Sequence, residues 1–167
     1  MARAPKPVTS ADLLELAYVS DPQLAPGGKS AAVVVTRVVS ADGGKPKRAP
    51  AASGSGGKQA KYEPPRYLSR IELYDLNAKG KPKPTELTQG RYGDSSPRFS
   101  PSGDQIAFLS VREEGAKPNL YLLPLAGGEA RRLTSHGAGV SEFVWHPNGK
   151  QLAYLSRGDW ERGGVQV

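Results

Sequence analysis

Along the chain, apolar residues alternate with polar or small ones in short runs, and the clearest runs open on a turn made of proline and glycine. Three such stretches align on the proline: LAPGGKSAAVVV from Leu24, FSPSGDQIAFLS from Phe99 and WHPNGKQLAYLS from Trp145. Leu24, Phe99 and Trp145 share one slot, Pro26, Pro101 and Pro147 share the anchor, and Gly28, Gly103 and Gly149 follow two residues later. Proline fixes φ at about −65° for the second position of a tight turn, and glycine accepts the left-handed conformation that sends the chain back as a strand. Beyond the glycine, Ala31/Ile106/Leu152 and Val33/Phe108/Tyr154 fall on one face at period two. The slot between them is always alanine (Ala32, Ala107, Ala153), which implies that the second face is also buried and short of space.

A second half-unit recurs as well. Ile71-Glu72-Leu73-Tyr74-Asp75-Leu76 followed by Glu86-Leu87-Thr88 matches Leu120-Tyr121-Leu122-Leu123-Pro124-Leu125 followed by Arg132-Leu133-Thr134. One whole unit is then four short strands. Pro101 and Pro147 stand 46 residues apart, and so do Thr88 and Thr134. That period, with four strands per repeat, is the signature of a β-propeller blade, and equal intervals between in-register turns argue against a generic antiparallel sandwich. The sequence predicts an all-β fold, a partial propeller of about two and a half four-stranded antiparallel blades. Blade 1 covers residues 21–88, blade 2 residues 95–134, and a half blade 3 residues 140–167.

Blade 1 is longer than the others because of a low-complexity stretch at about residues 41–65, ADGGKPKRAPAASGSGGKQAKYEPP, placed between its second and third strands. It contains no Leu, Ile, Val or Phe and cannot bury enough apolar surface to offset its ordering entropy, so a disordered insertion is expected. Ahead of blade 1, residues 1–20 form an N-terminal arm in which Thr9-Ser10-Ala11-Asp12 fits a capping box. Leu13, Leu14, Leu16 and Ala17 then predict a short amphipathic helix, ended by Pro22. Propellers close with about four to eight blades, so the chain reads as the N-terminal piece of a longer polypeptide, or as one that needs partner chains to complete the ring.

Of the 167 residues, 37% are hydrophobic and 23% charged, a balance that supports a packed core. The longest apolar run, Ala31 to Val35, is far too short to span a bilayer, and Asp12 and Glu15 interrupt what would be the apolar part of a secretory signal. A cytoplasmic location is expected, with no membrane partner. The absence of cysteine excludes disulfides, thiolate metal sites and a cysteine nucleophile. The net charge of +7 would suit a nucleic-acid partner, but more than half of the excess falls between Ala41 and Arg66. There Lys45, Lys47, Arg48, Lys58, Lys61 and Arg66 face only Asp42 and Glu63. No RNA-binding aromatic signature or helix-turn-helix accompanies them, and no nucleic-acid partner is expected.

Candidate chemistry within the chain is sparse. Gly139-Val140-Ser141-Glu142-Phe143 has the first glycine of a nucleophile elbow but Phe143 in place of the second, and Gly28-Lys29-Ser30 lacks the upstream glycine of a phosphate loop, which would have to be Gln23. His146 takes the slot of Ser100 and reads as a turn residue, while His136 lies in a Gly-rich loop where exposure to solvent is the default. They are ten residues apart without carboxylates at ligand spacing, so no metal site is expected. Arg131, Arg132 and Arg157 could reach a substrate carboxylate but more often solvate blade edges, and Trp160 reads as packing between blades.

The opening TSADLLELAYVSDPQLAPGGKSAAVVV resembles the N-terminus of acylaminoacyl peptidases in the prolyl oligopeptidase family of serine peptidases, as do the blades PRFSPSGDQIAFLS and EFVWHPNGKQLAYLS with their Leu-Thr endings. Ala25-Pro26-Gly27-Gly28 departs from the Ser-Pro-Asp-Gly turn common in that family, and the basic insertion is a further departure. The resemblance implies a propeller that covers an α/β-hydrolase domain and admits only short peptides, with the catalytic Ser, Asp and His in that other domain. It assigns no catalytic residue, cofactor or metal to these residues. The implied partners are the remaining blades and the α/β-hydrolase domain, in the same polypeptide or in trans, together with short peptide substrates; a homo-oligomer is compatible with it. The SPxG blade is shared with the propeller of the Tol system, so the alternative is a non-catalytic scaffold that binds proteins.

Overall fold

The computed structural model describes residue 12 and residues 15–40, 65–158 and 162–167, with the side chains of 162–164 and 166 excepted. Every proline-glycine turn closes in the same way. Gly28 donates its N–H to Ala25 O, Gly103 to Ser100 O and Gly149 to His146 O, each at 2.9 Å. Their φ angles are 70°, 77° and 70°, the left-handed values that glycine alone adopts without cost. The next rung of each hairpin repeats too: Ala25 N to Ser30 O, Ser100 N to Gln105 O and His146 N to Gln151 O are all 2.9 Å.

Eleven strands result among the described residues. Blade 1 is β1 (Ala17–Leu24), β2 (Ser30–Val39), β3 (Arg66–Asp75) and β4 (Thr85–Glu86); blade 2 is β5 (Asp94–Phe99), β6 (Gln105–Ser110), β7 (Asn119–Pro124) and β8 (Arg131–Arg132). Blade 3 has β9 (Val140–Trp145), β10 (Gln151–Ser156) and β11 (Arg162–Gln166). Neighbouring strands pair antiparallel in sequence order within each sheet. The fold is all-β, a partial β-propeller as expected, with residues 163–166 pairing as the third strand of blade 3. The long connection of blade 1 runs between Val39 and Arg66, from the second strand to the third; the expected insertion at about residues 41–65 lies almost wholly outside the described residues.

At the N-terminus, Asp12 is helical and Glu15 N–H donates to Asp12 O at 3.1 Å, while Ala11, Leu13 and Leu14 lie outside the described residues. Ala17 opens β1 instead of extending a helix, and Pro22 sits inside that strand. The reason is a β-bulge. Between Ser20 and Gln23 the register with β2 shifts, and Asp21 adopts φ 47°. In β5 the register shifts between Ser95 and Arg98, and Ser96, in the matching position before Pro97, adopts φ 54°. Proline has no N–H to give to a ladder and is tolerated on edge strands and at bulges, which is where Pro22 and Pro97 stand.

Blade 2 is packed on both faces. Ile106, Phe108, Tyr121 and Leu123 join Ala32 and Ile71 of blade 1 in one core cluster. Ala107, Leu109, Leu120 and Leu122 join Val140 and Leu152 of blade 3 in the other. The side chains alternate between the two clusters along β6 and β7, which is the period-two pattern of a strand buried on both sides. The alanine slot always faces the next blade: Ala32 meets blade 2 and Ala107 meets blade 3, both fully buried. Ala153 is exposed, against the expectation that all three are enclosed, because its face has no neighbouring sheet among the described residues. Val144, 63% exposed, and Leu155, 50% exposed, share that bare face.

Adjacent blades are also tied by polar contacts. Arg98 Nη1 lies 3.0 Å from both carboxylate oxygens of Asp21, and Trp145 Nε1 donates to Arg98 O at 3.1 Å.

Candidate functional site

The ends of the blades that carry the connection after each second strand gather most of the unusual polar chemistry. In blade 2 this is the segment from Val111 to Pro118, with the link from β8 to β9 beside it. Thr134, the closing threonine of the blade, is buried; its Oγ1 accepts from Leu120 N–H at 3.0 Å and donates to Asn119 Oδ1 at 2.9 Å. Asn119 Oδ1 also accepts from His136 N–H at 2.9 Å, and its amide donates to His136 O at 3.1 Å. One buried amide therefore pins the β8–β9 link to the blade. Blade 1 repeats the threonine but not the amide: Ile71 N–H donates to Thr88 Oγ1 at 3.0 Å, and Arg70 stands where blade 2 has Asn119.

His136 is half-buried, not solvated. Its Nε2 lies 2.8 Å from the Tyr154 hydroxyl of blade 3, with the ring centroids 5.3 Å apart. Next to it is an open cavity of about 220 Å³, lined by Ser110, Arg112, Lys117, Asn119, Arg132 and His136 among others. The Arg112 guanidinium carbon sits 4.8 Å above the Tyr121 ring and 6.0 Å from that of Phe108. Arg132 Nε donates to Thr134 O at 2.6 Å.

A second cluster lies on the face of blade 1 turned away from blade 2. Glu72 is 1% exposed; its Oε1 accepts from Arg37 Nη1 at 2.8 Å and lies 3.3 Å from Arg70 Nε, and Oε2 accepts from the Tyr74 hydroxyl at 3.0 Å. Arg70 Nη1 reaches Glu86 at 2.9 Å. Burial pushes the Glu72 carboxyl up, but the hydrogen bonds from Arg37 and Tyr74 and the charges of Arg37 and Arg70 outweigh it, so the net shift is below the ordinary carboxylate value. Burial and the bond to Glu72 raise Tyr74. Sequence reading singled out none of these residues. The available signal was the spacing of Arg70, Glu72 and Tyr74, which places three polar groups on one face of a strand.

The candidate residues read from sequence do not form a catalytic constellation. Ser141 lies on β9 and donates to Leu155 O at 3.3 Å. His146 Nδ1 accepts from Asn148 N–H at 3.1 Å and belongs to its turn, as expected. Among the described residues neither imidazole is hydrogen-bonded to a serine or a carboxylate, and no group of three His, Asp or Glu could hold a metal ion. No helix of the described residues is long and apolar enough to cross a membrane. Gly28 and Lys29 form a hairpin turn, Arg131 is exposed on the edge strand β8, and Arg157 is exposed just after β10. Arg132 is brought to the cavity, and Trp160 lies outside the described residues.

No family model matches the chain. It is 33% identical over 157 residues to the Bacillus subtilis protein named "Uncharacterized peptidase YuxL", which covers 93% of this chain but 20% of the relative. The chain therefore spans about a fifth of the length of that curated relative. Among solved structures, the β-propeller domain of the Trilobed protease from Pyrococcus furiosus matches with a TM-score of 0.55 at 18% identity, over 84% of this chain and 34% of the other. TolB from Acinetobacter baumannii matches with a TM-score of 0.50 at 20% identity, over 84% of this chain and 27% of the other. At those identities the two structures speak for the fold alone. With its repeated blades and its kinship to a protein named as a peptidase, the chain is a peptidase-related partial β-propeller.

Proposed function

We propose that the chain is the N-terminal propeller segment of a serine peptidase of the prolyl oligopeptidase family, acylaminoacyl peptidase or oligopeptidase in type, and that it gates access of short peptides to a catalytic domain elsewhere in the protein. The observation that carries this reading is the 33% identity, over 93% of the chain, to a protein named as a peptidase. In this reading, the bare face of Val144, Ala153 and Leu155 receives the following blade, since apolar surface of that kind is otherwise a site of association. Hydrolysis would proceed by acyl transfer through a serine ester formed outside these residues. Short peptides are the substrates in this proposal, and the cytoplasm is the location. Labelling the protein of natural length with a fluorophosphonate tests it. Covalent modification of one serine in a G-x-S-x-G elbow is expected; a protein without a reactive serine would overturn it.

A second reading is motivated by the SPxG turn of the blades, which resembles that of the Tol-system propeller: a propeller that binds proteins without catalysis. The sequence beyond Val167 separates the two. Further blades followed by an α/β-hydrolase elbow support the peptidase, and a stop directly after the propeller supports the scaffold.

A further inference from the structure

We infer that the cavity between the β6–β7 and β8–β9 connections of blade 2 is an oxyanion-binding site, built to take a carboxylate or phosphate group on Arg112, Arg132 and Lys117. This does not depend on the peptidase reading. Cross-strand pairing sets the frame: Ser110 lies opposite Asn119, Phe108 opposite Tyr121, and Tyr121 opposite Arg132, so these residues share one face of the blade. Arg112 is laid over the Tyr121 and Phe108 rings, and Arg132 is oriented by its Nε bond to Thr134 O. Both guanidiniums are held in place through other contacts.

Among the described residues their remaining donors have no carboxylate partner. Arg37, Arg70 and Arg98 all have carboxylate partners, whereas among the described residues Arg112, Arg132 and Lys117 have none within ion-pair distance. Among the described residues Glu113 is the only carboxylate in the lining, with the buried Asp94 cross-strand from the lining residue Ser110. Ser110, also in the lining, is 2% exposed; among the described residues neither its Oγ nor Oδ2 of the buried Asp94, which lies opposite it on β5, has a hydrogen-bond partner. A buried hydroxyl without a partner is costly to keep, and a bound oxygen that accepts from Ser110 beside the two held guanidiniums would offset that cost. At about 220 Å³ the cavity admits a carboxylate or phosphate with accompanying water. Planar guanidinium pairs match the oxygens of either group through two-point, charge-assisted hydrogen bonds.

The test is calorimetric titration of the protein of natural length with inorganic phosphate and, separately, with an N-acetylated Asp-Glu dipeptide. Saturable binding of at least one is expected, and the two arms tell phosphate from peptide carboxylate. Arg132→Gln should weaken binding at least about tenfold, because a charge-assisted hydrogen bond is lost. Lys117→Gln, at an exposed side chain, serves if Arg132→Gln impairs folding. Lys79→Gln, in the β3–β4 link, should change nothing. Absence of saturable binding by both probes, or equal binding by wild type and both cavity variants at unchanged melting temperature, would overturn the inference.

Discussion

Gly149 of blade 3 lies against Pro101 of blade 2: a β-carbon placed on the glycine would come within 3.6 Å of the proline Cδ. Gly103 meets Pro26 one blade earlier in the same manner, at 3.4 Å. The turn that starts each hairpin is thus also the contact that seats one blade on the previous one. The same interblade relationship recurs at both blade junctions.

Gly103→Ala is therefore expected to cost about 1–2 kcal/mol for the left-handed backbone, since its β-carbon would make only ordinary contact with Pro26. Gly28→Ala has a similar φ but open space around it, so it should carry the backbone cost alone. Urea denaturation should give losses within about 0.5 kcal/mol of each other, and a much larger loss at Gly103 would show that the turn cannot admit a β-carbon beside Pro26.

Thr134→Val removes the acceptor for Leu120 N–H and the donor to Asn119 in a buried setting. A loss of about 1–3 kcal/mol is expected, with Thr134→Ser recovering much of it. Thr88→Val should behave alike through Ile71 N–H, whereas Thr85→Val, exposed on β4, should stay within about 0.5 kcal/mol. Chemical denaturation midpoints decide between these outcomes.

Glu72 predicts a pH dependence. Its folded carboxyl is depressed, so the folded state binds this proton less readily than the unfolded chain does. The resulting stabilisation is fully present above the unfolded carboxylate value and is lost as pH falls through the lower, folded value. Stability measured across the acid range should drop in that window, and Glu72→Gln should flatten the drop. The neutral-pH cost of Glu72→Gln should stay under about 3 kcal/mol, because Arg37 and Arg70 are partly exposed and keep water as a partner.

The fold was largely legible in the residues because its determinants are local. The proline-glycine turns, the alternating runs after them and the Leu-Thr endings each specify a conformation within a few residues. Pro22 misled because the same residue that stops a helix also suits a bulge, and the choice depends on β2 pairing alongside. His136 was read as solvated because Tyr154, its partner, comes from the next blade. The Glu72 cluster and the basic cavity were invisible for a similar reason: Arg37 and Glu72, or Arg112 and Arg132, meet only once the strands are in register.

On the bare face, Leu155→Ser should leave the isolated chain's stability within about 0.5 kcal/mol while reducing self-association, because the side chain is half exposed and has little packing to lose. Sedimentation velocity of the isolated chain reads this directly.

In the proposed function, blade 3 is followed by another blade seated on Ala153. The chain has no cysteine, so Ala153→Cys introduces a single thiol into this segment at the slot that is buried in blades 1 and 2 as Ala32 and Ala107. Maleimide modification of that peptide, followed by mass spectrometry, should be fast in the isolated chain and strongly protected in the protein of natural length. Equally fast modification in both would contradict the propeller continuation.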